Sequence, residues 1–192
     1  MKKLMFLAVM AMASMGAYAQ HAVGSVTLQP KVALNIANLT DNGKSDPRIG
    51  LAAGAEVEYT LTDMFSLAGG IMYSMQGANR DDGPVEYTWK FDYLNLPMVA
   101  NVYVAKNLAL KTGVQFGFNM SHKLKSETSA GTNEVDMSGF KSFDFSIPLG
   151  ISYEYQNVVL DARYNLGLTK VFDHGDQKNS LFQITLGYRF DL

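Results

Sequence analysis

The sequence predicts an all-β chain, an eight-stranded antiparallel up-and-down transmembrane β-barrel. Three observations lead there. Apolar residues recur at every second position over most of the chain, and the 3.6-residue period of helices is almost absent. Short and long connections alternate strictly. The face between the apolar residues is built from small side chains and a few charges of both signs.

The N-terminal stretch stands apart. Lys2 and Lys3 precede an apolar run from Leu4 to Met15, and Ala17-Tyr18-Ala19 forms a small-x-small cleavage site. This is the pattern of a secretory signal peptide, cut after Ala19 with Ala17 and Ala19 as the small residues. The run is shorter than the ~20 apolar residues of a spanning helix. The expected organisation is a signal peptide at 1–19 and one β-barrel domain at 20–192.

The alternating sets follow in order. They are Val26 to Ile36, Ile49 to Leu61, Phe65 to Met75, Leu94 to Val104, Leu108 to Met120, Phe143 to Tyr155, Val158 to Leu168 and Phe182 to Leu192. Each is near or above the ~9–11 residues that cross a membrane at a tilt. One parity break is visible. Tyr87, Trp89 and Phe91 are apolar at odd positions, whereas the set from Leu94 is apolar at even ones. A β-bulge near Asp92 or Tyr93 would reconcile them, and so would a loop hairpin outside the membrane.

Leu61 to Met64, Ala105 to Asn107 and Tyr155 to Val158 read as tight turns. Asn38 to Arg48, Gly77 to Glu86, His122 to Lys141 and Val171 to Asn179 read as longer polar loops. In an up-and-down barrel all short turns then share one end. Outer-membrane barrels have that asymmetry, which assigns the turns and both termini to the periplasm and the loops to the outside.

Alternation alone does not say which face is outside, since a lipocalin-like barrel would turn its apolar set inward. The polar set decides. It contains Gly50, Ala52, Gly54, Ser66, Ala68, Gly70, Gly113, Gly117, Gly150, Gly167 and Gly187, which suit the narrow interior of eight strands. Tyr59, Tyr73, Tyr153, Tyr155, Tyr188 and Phe190 lie toward the ends of the apolar set, as interfacial girdles do. The lumen charges are then Lys31, Glu56, Glu58, Lys111, Asp144, Glu154, Asp161, Arg163 and Arg189. Desolvated charges must pair. Asp161 and Arg163 share one face ~7 Å apart, within reach of Lys111, Arg189, Asp144 or Glu154, and Glu56 and Glu58 call for a cation such as Lys31. The network reads as structural filling, with an ion path or selectivity role as its sharper form.

Thr185, Gly187, Phe190 and Leu192 follow the pattern polar-x-Gly-x-x-apolar-x-apolar. This resembles the terminal β-signal by which outer-membrane barrels are recognised for assembly. Tyr93 to Phe118, Leu149 to Val171 and the terminal LFQITLGYRF, with Leu160-Asp161-Ala162-Arg163-Tyr164 before Gly167-Leu168, resemble the outer membrane β-barrel family abundant in Bacteroidetes. That family includes PorT-like proteins and many chains called "porin family". The resemblance implies outer-membrane lipid and the barrel-assembly machinery as partners. It also implies extracellular or export partners at the loops, with no cofactor and no shared catalytic activity.

Composition narrows the rest. The net charge of −2 gives no case for nucleic acid binding, and the absence of cysteine removes disulfides, thiolate metal sites and a lipoprotein anchor. Two pairs at loop junctions, Ser121 with His122 and Asp173 with His174, have the residue types of a lipid A-modifying enzyme. The expected function is a non-enzymatic barrel with a structural or surface-interaction role and at most narrow solute permeation. An export or envelope-assembly accessory is the alternative, and a lipid-modifying enzyme ranks third.

Overall fold

The computed structural model describes residues 21–40, 45–81, 83, 85–128, 131–136, 141–172 and 175–192. The expected signal peptide with Ala17 and Ala19, and the pair Asp173–His174, lie outside the described residues. Ten strand segments form one antiparallel sheet: β1 (Val26–Leu39), β2 (Asp46–Thr60), β3 (Phe65–Asp81), β4 (Val85–Ala105), β5 (Leu108–Thr128), β6 (Gly131–Asp136), β7 (Phe143–Tyr155), β8 (Val158–Lys170), β9 (Lys178–Tyr188) and β10 (Phe190–Asp191). Each strand of the wall pairs with the next, and β1 pairs with β9 to close the ring. The wall has eight staves, because β6 pairs only with β5, and β9 and β10 are two pieces of one stave. Lys31↔Gly187 and Leu28↔Phe190 keep the same register, with the pairing interrupted opposite Gln29 and Pro30. Pro30 has no N–H to give to the ladder.

Alternation sorts the side chains as the small-residue face requires. Val32, Leu51, Leu67, Met98, Leu110, Ile151, Leu160 and Leu186 are exposed on the outside, while Gln29, Lys31, Asn35, Glu56, Asn101, Asp161 and Arg163 are buried within. Burial is therefore inverted relative to a water-soluble domain, as a lipid-facing wall demands. Aromatic rings mark both edges of the belt. Tyr59, Phe65, Tyr153, Tyr155, Tyr188 and Phe190 stand toward the short turns, and Phe118, Phe143 and Phe182 toward the long loops.

The tight turns are shaped by residues that tolerate the left-handed region. Gln156 (φ 47°) and Asn157 (φ 70°) form a two-residue turn with both φ positive, whose twist matches the flanking strands. Asn107 (φ 71°) serves the turn between β4 and β5.

Two of the four expected long loops are corrected. β8 has 13 residues and β9 has 11, close to the ~9–11 needed to cross. β3 has 17, and β4 and β5 have 21 each. The excess carries the expected loops Gly77–Glu86 and His122–Lys141 as sheet, with β6 added against β5. The result is a ribbon of β3 to β6 that rises past the belt on one flank.

The bulge expected near Asp92 or Tyr93 is present at that level, but the added residue is on the partner strand. Between Asp92↔Ser121 and Tyr93↔Asn119 the extra residue is Met120, on β5, while β4 runs in unbroken register against β3. Residues 89, 91 and 93 therefore share the inward face. Phe91 and Tyr93 are almost fully buried and pack with Leu39, Ala78 and Val171, flanked by Trp89 and Phe172.

Candidate functional site

The candidate site is the lumen, which is filled in three tiers. The tier nearest the short turns is ionic. Lys31 Nζ donates to Glu56 Oε2 at 2.5 Å, and Arg163 Nη1 donates to Glu56 Oε1 at 3.2 Å. Arg163 also holds Asp161 with two donors, Nη2 at 2.8 Å and Nε at 3.3 Å, and Lys111 Nζ lies 2.8 Å from the same carboxylate. Below it Arg189 Nη2 donates to Glu58 Oε2 at 2.8 Å, and Arg189 Nε lies 3.2 Å from Glu154. Glu58 also accepts from the Tyr103 hydroxyl at 2.6 Å and from Ser66. His21 caps this end, 3.2 Å from Glu154 and edge-on to the Tyr103 ring.

The four cations Lys31, Lys111, Arg163 and Arg189 face the four carboxylates Glu56, Glu58, Glu154 and Asp161. Each carboxylate contacts at least one cation, which the low-dielectric interior requires. Glycine makes the room. Lys31 lies in register between Gly54 and Gly187, and Lys111 and Arg163 both face Gly150. A side chain at Gly54 would strike the Ile71 carbonyl.

Above the ions comes a neutral tier. Gln183 Nε2 donates to Asn35 Oδ1 at 2.8 Å, and Asn35 Nδ2 donates to Ser74 Oγ at 3.0 Å and to the Met75 carbonyl at 2.9 Å. Gln115 reaches Ser146 at 3.4 Å. The third tier is the apolar stopper of Phe91, Tyr93, Leu39, Ala78 and Val171, with Phe172 edge-on to Phe91 at 6.5 Å. The Tyr93 hydroxyl accepts from Asn179 Nδ2 at 3.2 Å, tying stopper to wall.

Of the nine lumen charges read from the sequence, eight meet in the ionic tier. Asp144 does not. It sits at the long-loop end, where it accepts from the Thr169 hydroxyl at 2.8 Å, too far along the barrel to join the network. The terminal pattern divides by face: Thr185 and Gly187 are buried in the lumen, while Phe190 and Leu192 are exposed on the outside. Ser121 and His122 are neighbours on one strand, so their side chains leave on opposite faces and form no dyad. His122 Nδ1 instead lies 3.2 Å from Asn119 Oδ1. The sequence does not point to the stopper or to Tyr103, and His21, beside the expected mature N-terminus, reads there as disordered rather than as the cap it forms. Only the odd-parity aromatics hinted at the first.

The sequence model of the outer membrane protein beta-barrel domain family matches residues 18–173. That match is to the family at large and carries no PorT-like or Bacteroidetes distinction. No curated protein sequence matches the chain. Among solved structures, the attachment invasion locus protein Ail of Yersinia pestis, in complex with the heparin analogue sucrose octasulfate, superposes with a TM-score of 0.54 at 15% identity. That likeness covers 88% of this chain and 100% of Ail. Neisserial surface protein A superposes with a TM-score of 0.50 at 15% identity, over 87% of this chain and 97% of its own. These likenesses establish the shared barrel fold.

Proposed function

The chain belongs to the outer membrane protein beta-barrel domain family, and from that premise we propose that it is a closed, non-enzymatic barrel of the bacterial outer membrane with a structural and surface-contact role. The observation that supports this reading is the lumen's contents, a bonded ion lattice followed by an aromatic cluster. An interior of eight strands filled in this way leaves no aqueous channel. What remains for contact is the ribbon of β3 to β6 beyond the belt. The short turns and both termini face the periplasm, and the ribbon faces outward, as in barrels of this asymmetry. Thr185, Gly187, Phe190 and Leu192 serve assembly: the outward Phe190 and Leu192 are open to the assembly machinery while the seam is unsealed.

Conductance tests the closed lumen. The folded barrel, verified by its gel shift on heating, should insert into a planar bilayer and stay silent, and steady ion-sized steps would overturn the reading. Orientation is tested separately. The chain has no native cysteine, so Thr132→Cys in β6 should react with a membrane-impermeant maleimide on intact cells and Lys106→Cys should not.

A further inference from the structure

Two pairs of lysines oppose each other directly across the outward face of the wall. Lys90 on β4 faces Lys123 on β5, and Lys170 on β8 faces Lys178 on β9. Like charges placed opposite one another destabilise a sheet. Each pair nevertheless follows the last outward apolar residues of its own strands, toward the long loops. On one flank the last outward apolar residues before the pair are Leu94 and Met120, and on the other they are Leu168 and Phe182.

Each pair draws in a carboxylate from outside its own two strands. Glu134 of β6 bridges the first, 2.7 Å from Lys90 Nζ and 3.0 Å from Lys123 Nζ. Asp176, in the segment between β8 and β9, lies 2.5 Å from Lys170 Nζ. At the first pair two ammonium groups thus converge on one oxyanion, while at the second Lys170 alone contacts Asp176 and Lys178 stands opposite it on β9; these side chains are only partly covered, with Lys90 at 30%, Lys123 at 44% and Lys170 at 50% exposure. Carboxylate and phosphate share the chemistry such a cleft selects, and phosphate brings more charge. Where an apolar belt ends against lipid, the phosphates of the headgroups lie at this depth.

We propose that the two lysine clefts are binding sites for phosphate groups of an anionic lipid in the leaflet at the long-loop end. The clefts lie on different flanks of the ring, so each takes its own lipid molecule. If the long loops face outward as above, that leaflet is the outer one, and a phosphorylated saccharolipid is the class of ligand that fits.

The test uses the full-length exported protein in phosphatidylcholine nanodiscs with or without bisphosphorylated lipid A, read as lipid affinity by native mass spectrometry. Lipid A reaches both leaflets there, so the result does not depend on orientation, and the maleimide test fails or succeeds independently. Lys90→Gln/Lys123→Gln and Lys170→Gln/Lys178→Gln should each bind lipid A roughly 30-fold more weakly at their cleft, the effect of two lysines at a charged lipid surface. Lys106→Gln at the short-turn end should bind like wild type. Dephosphorylated lipid A should bind all forms equally. Wild-type affinity in both double variants overturns the proposal. So does equal competition by inorganic phosphate at matched phosphate concentration, which would make the clefts free-oxyanion sites rather than lipid sites.

Discussion

The two ends of the lumen are filled by opposite means. Toward the short turns, Lys31, Glu56, Lys111, Asp161 and Arg163 interlock through ion pairs, and Arg189 joins Glu58 to Glu154. Toward the long loops, Phe91, Tyr93, Leu39, Ala78 and Val171 meet as a small apolar core. A charge lattice depends on number and partner, because each member removed leaves another buried and uncompensated. An apolar cluster depends on volume alone and loses stability in proportion to the void left behind. The same barrel thus carries one plug sensitive to chemistry and one sensitive to size.

Removing one lattice member is the strongest way to expose that contrast. Arg163→Leu strands Glu56 beside Lys31 alone and Asp161 beside Lys111 alone, and should cost about 4 kcal/mol, read as a lower urea midpoint for the heat-modifiable form. Phe91→Ala should cost about 3 kcal/mol by opening a cavity in the stopper. It should also leave the protein non-conducting in a planar bilayer, because the ions still fill the barrel below. If Phe91→Ala conducts, the lattice is not a seal. Gly54→Ala probes the room left for Lys31. The new methyl meets the Ile71 carbonyl, so the strands must shift, and about 1–2 kcal/mol should be lost in the same urea titration.

The mildest test leaves the lumen untouched. The Lys90 and Lys123 ammonium groups hold the Glu134 carboxyl down at about 2. Because its folded-state value lies below the ordinary 4.5, its contribution to holding β6 is complete above that ordinary value. It fades as pH falls through about 2. Amide exchange across Gly131–Asp136 should therefore show less protection at the acid end of that window than expected from exchange chemistry alone. Protection in β8 should not follow the same curve.

How far these features were legible follows from their range along the chain. Strand parity is local, so Val158 to Leu168 announces its two faces without help from its neighbours, and the small residues facing inward name the lumen. Partners within the lumen depend on register between strands. Arg163 and Asp161 are visible as a pair, but Glu56, 107 positions from Arg163, joins them only once the barrel is closed. The aromatic stopper was harder still. Phe91, with Tyr87 and Trp89, reads in the sequence as a disturbance of the outer face, because Leu39, Ala78 and Val171, which give it an inner one, come from β1, β3 and the residue after β8. The ribbon reads as loop in the sequence because its residues are polar on the outward side, and polarity is not itself evidence against pairing.

Pro30 has a consequence for the seam that closes the barrel. Every other contact along the wall joins strands that follow one another in the chain or are separated only by β6, and such hairpins form early. The join of β1 to β9 and β10 links opposite ends of the domain, so its loop-closure entropy is the largest in the barrel. The missing N–H splits that join into a long upper zipper from Lys31 to Leu39 and a short lower one at Thr27 and Leu28. Beside the lower zipper Arg189 reaches inward to Glu58 and Glu154, so that arginine clasps the short end of the seam from within the lumen.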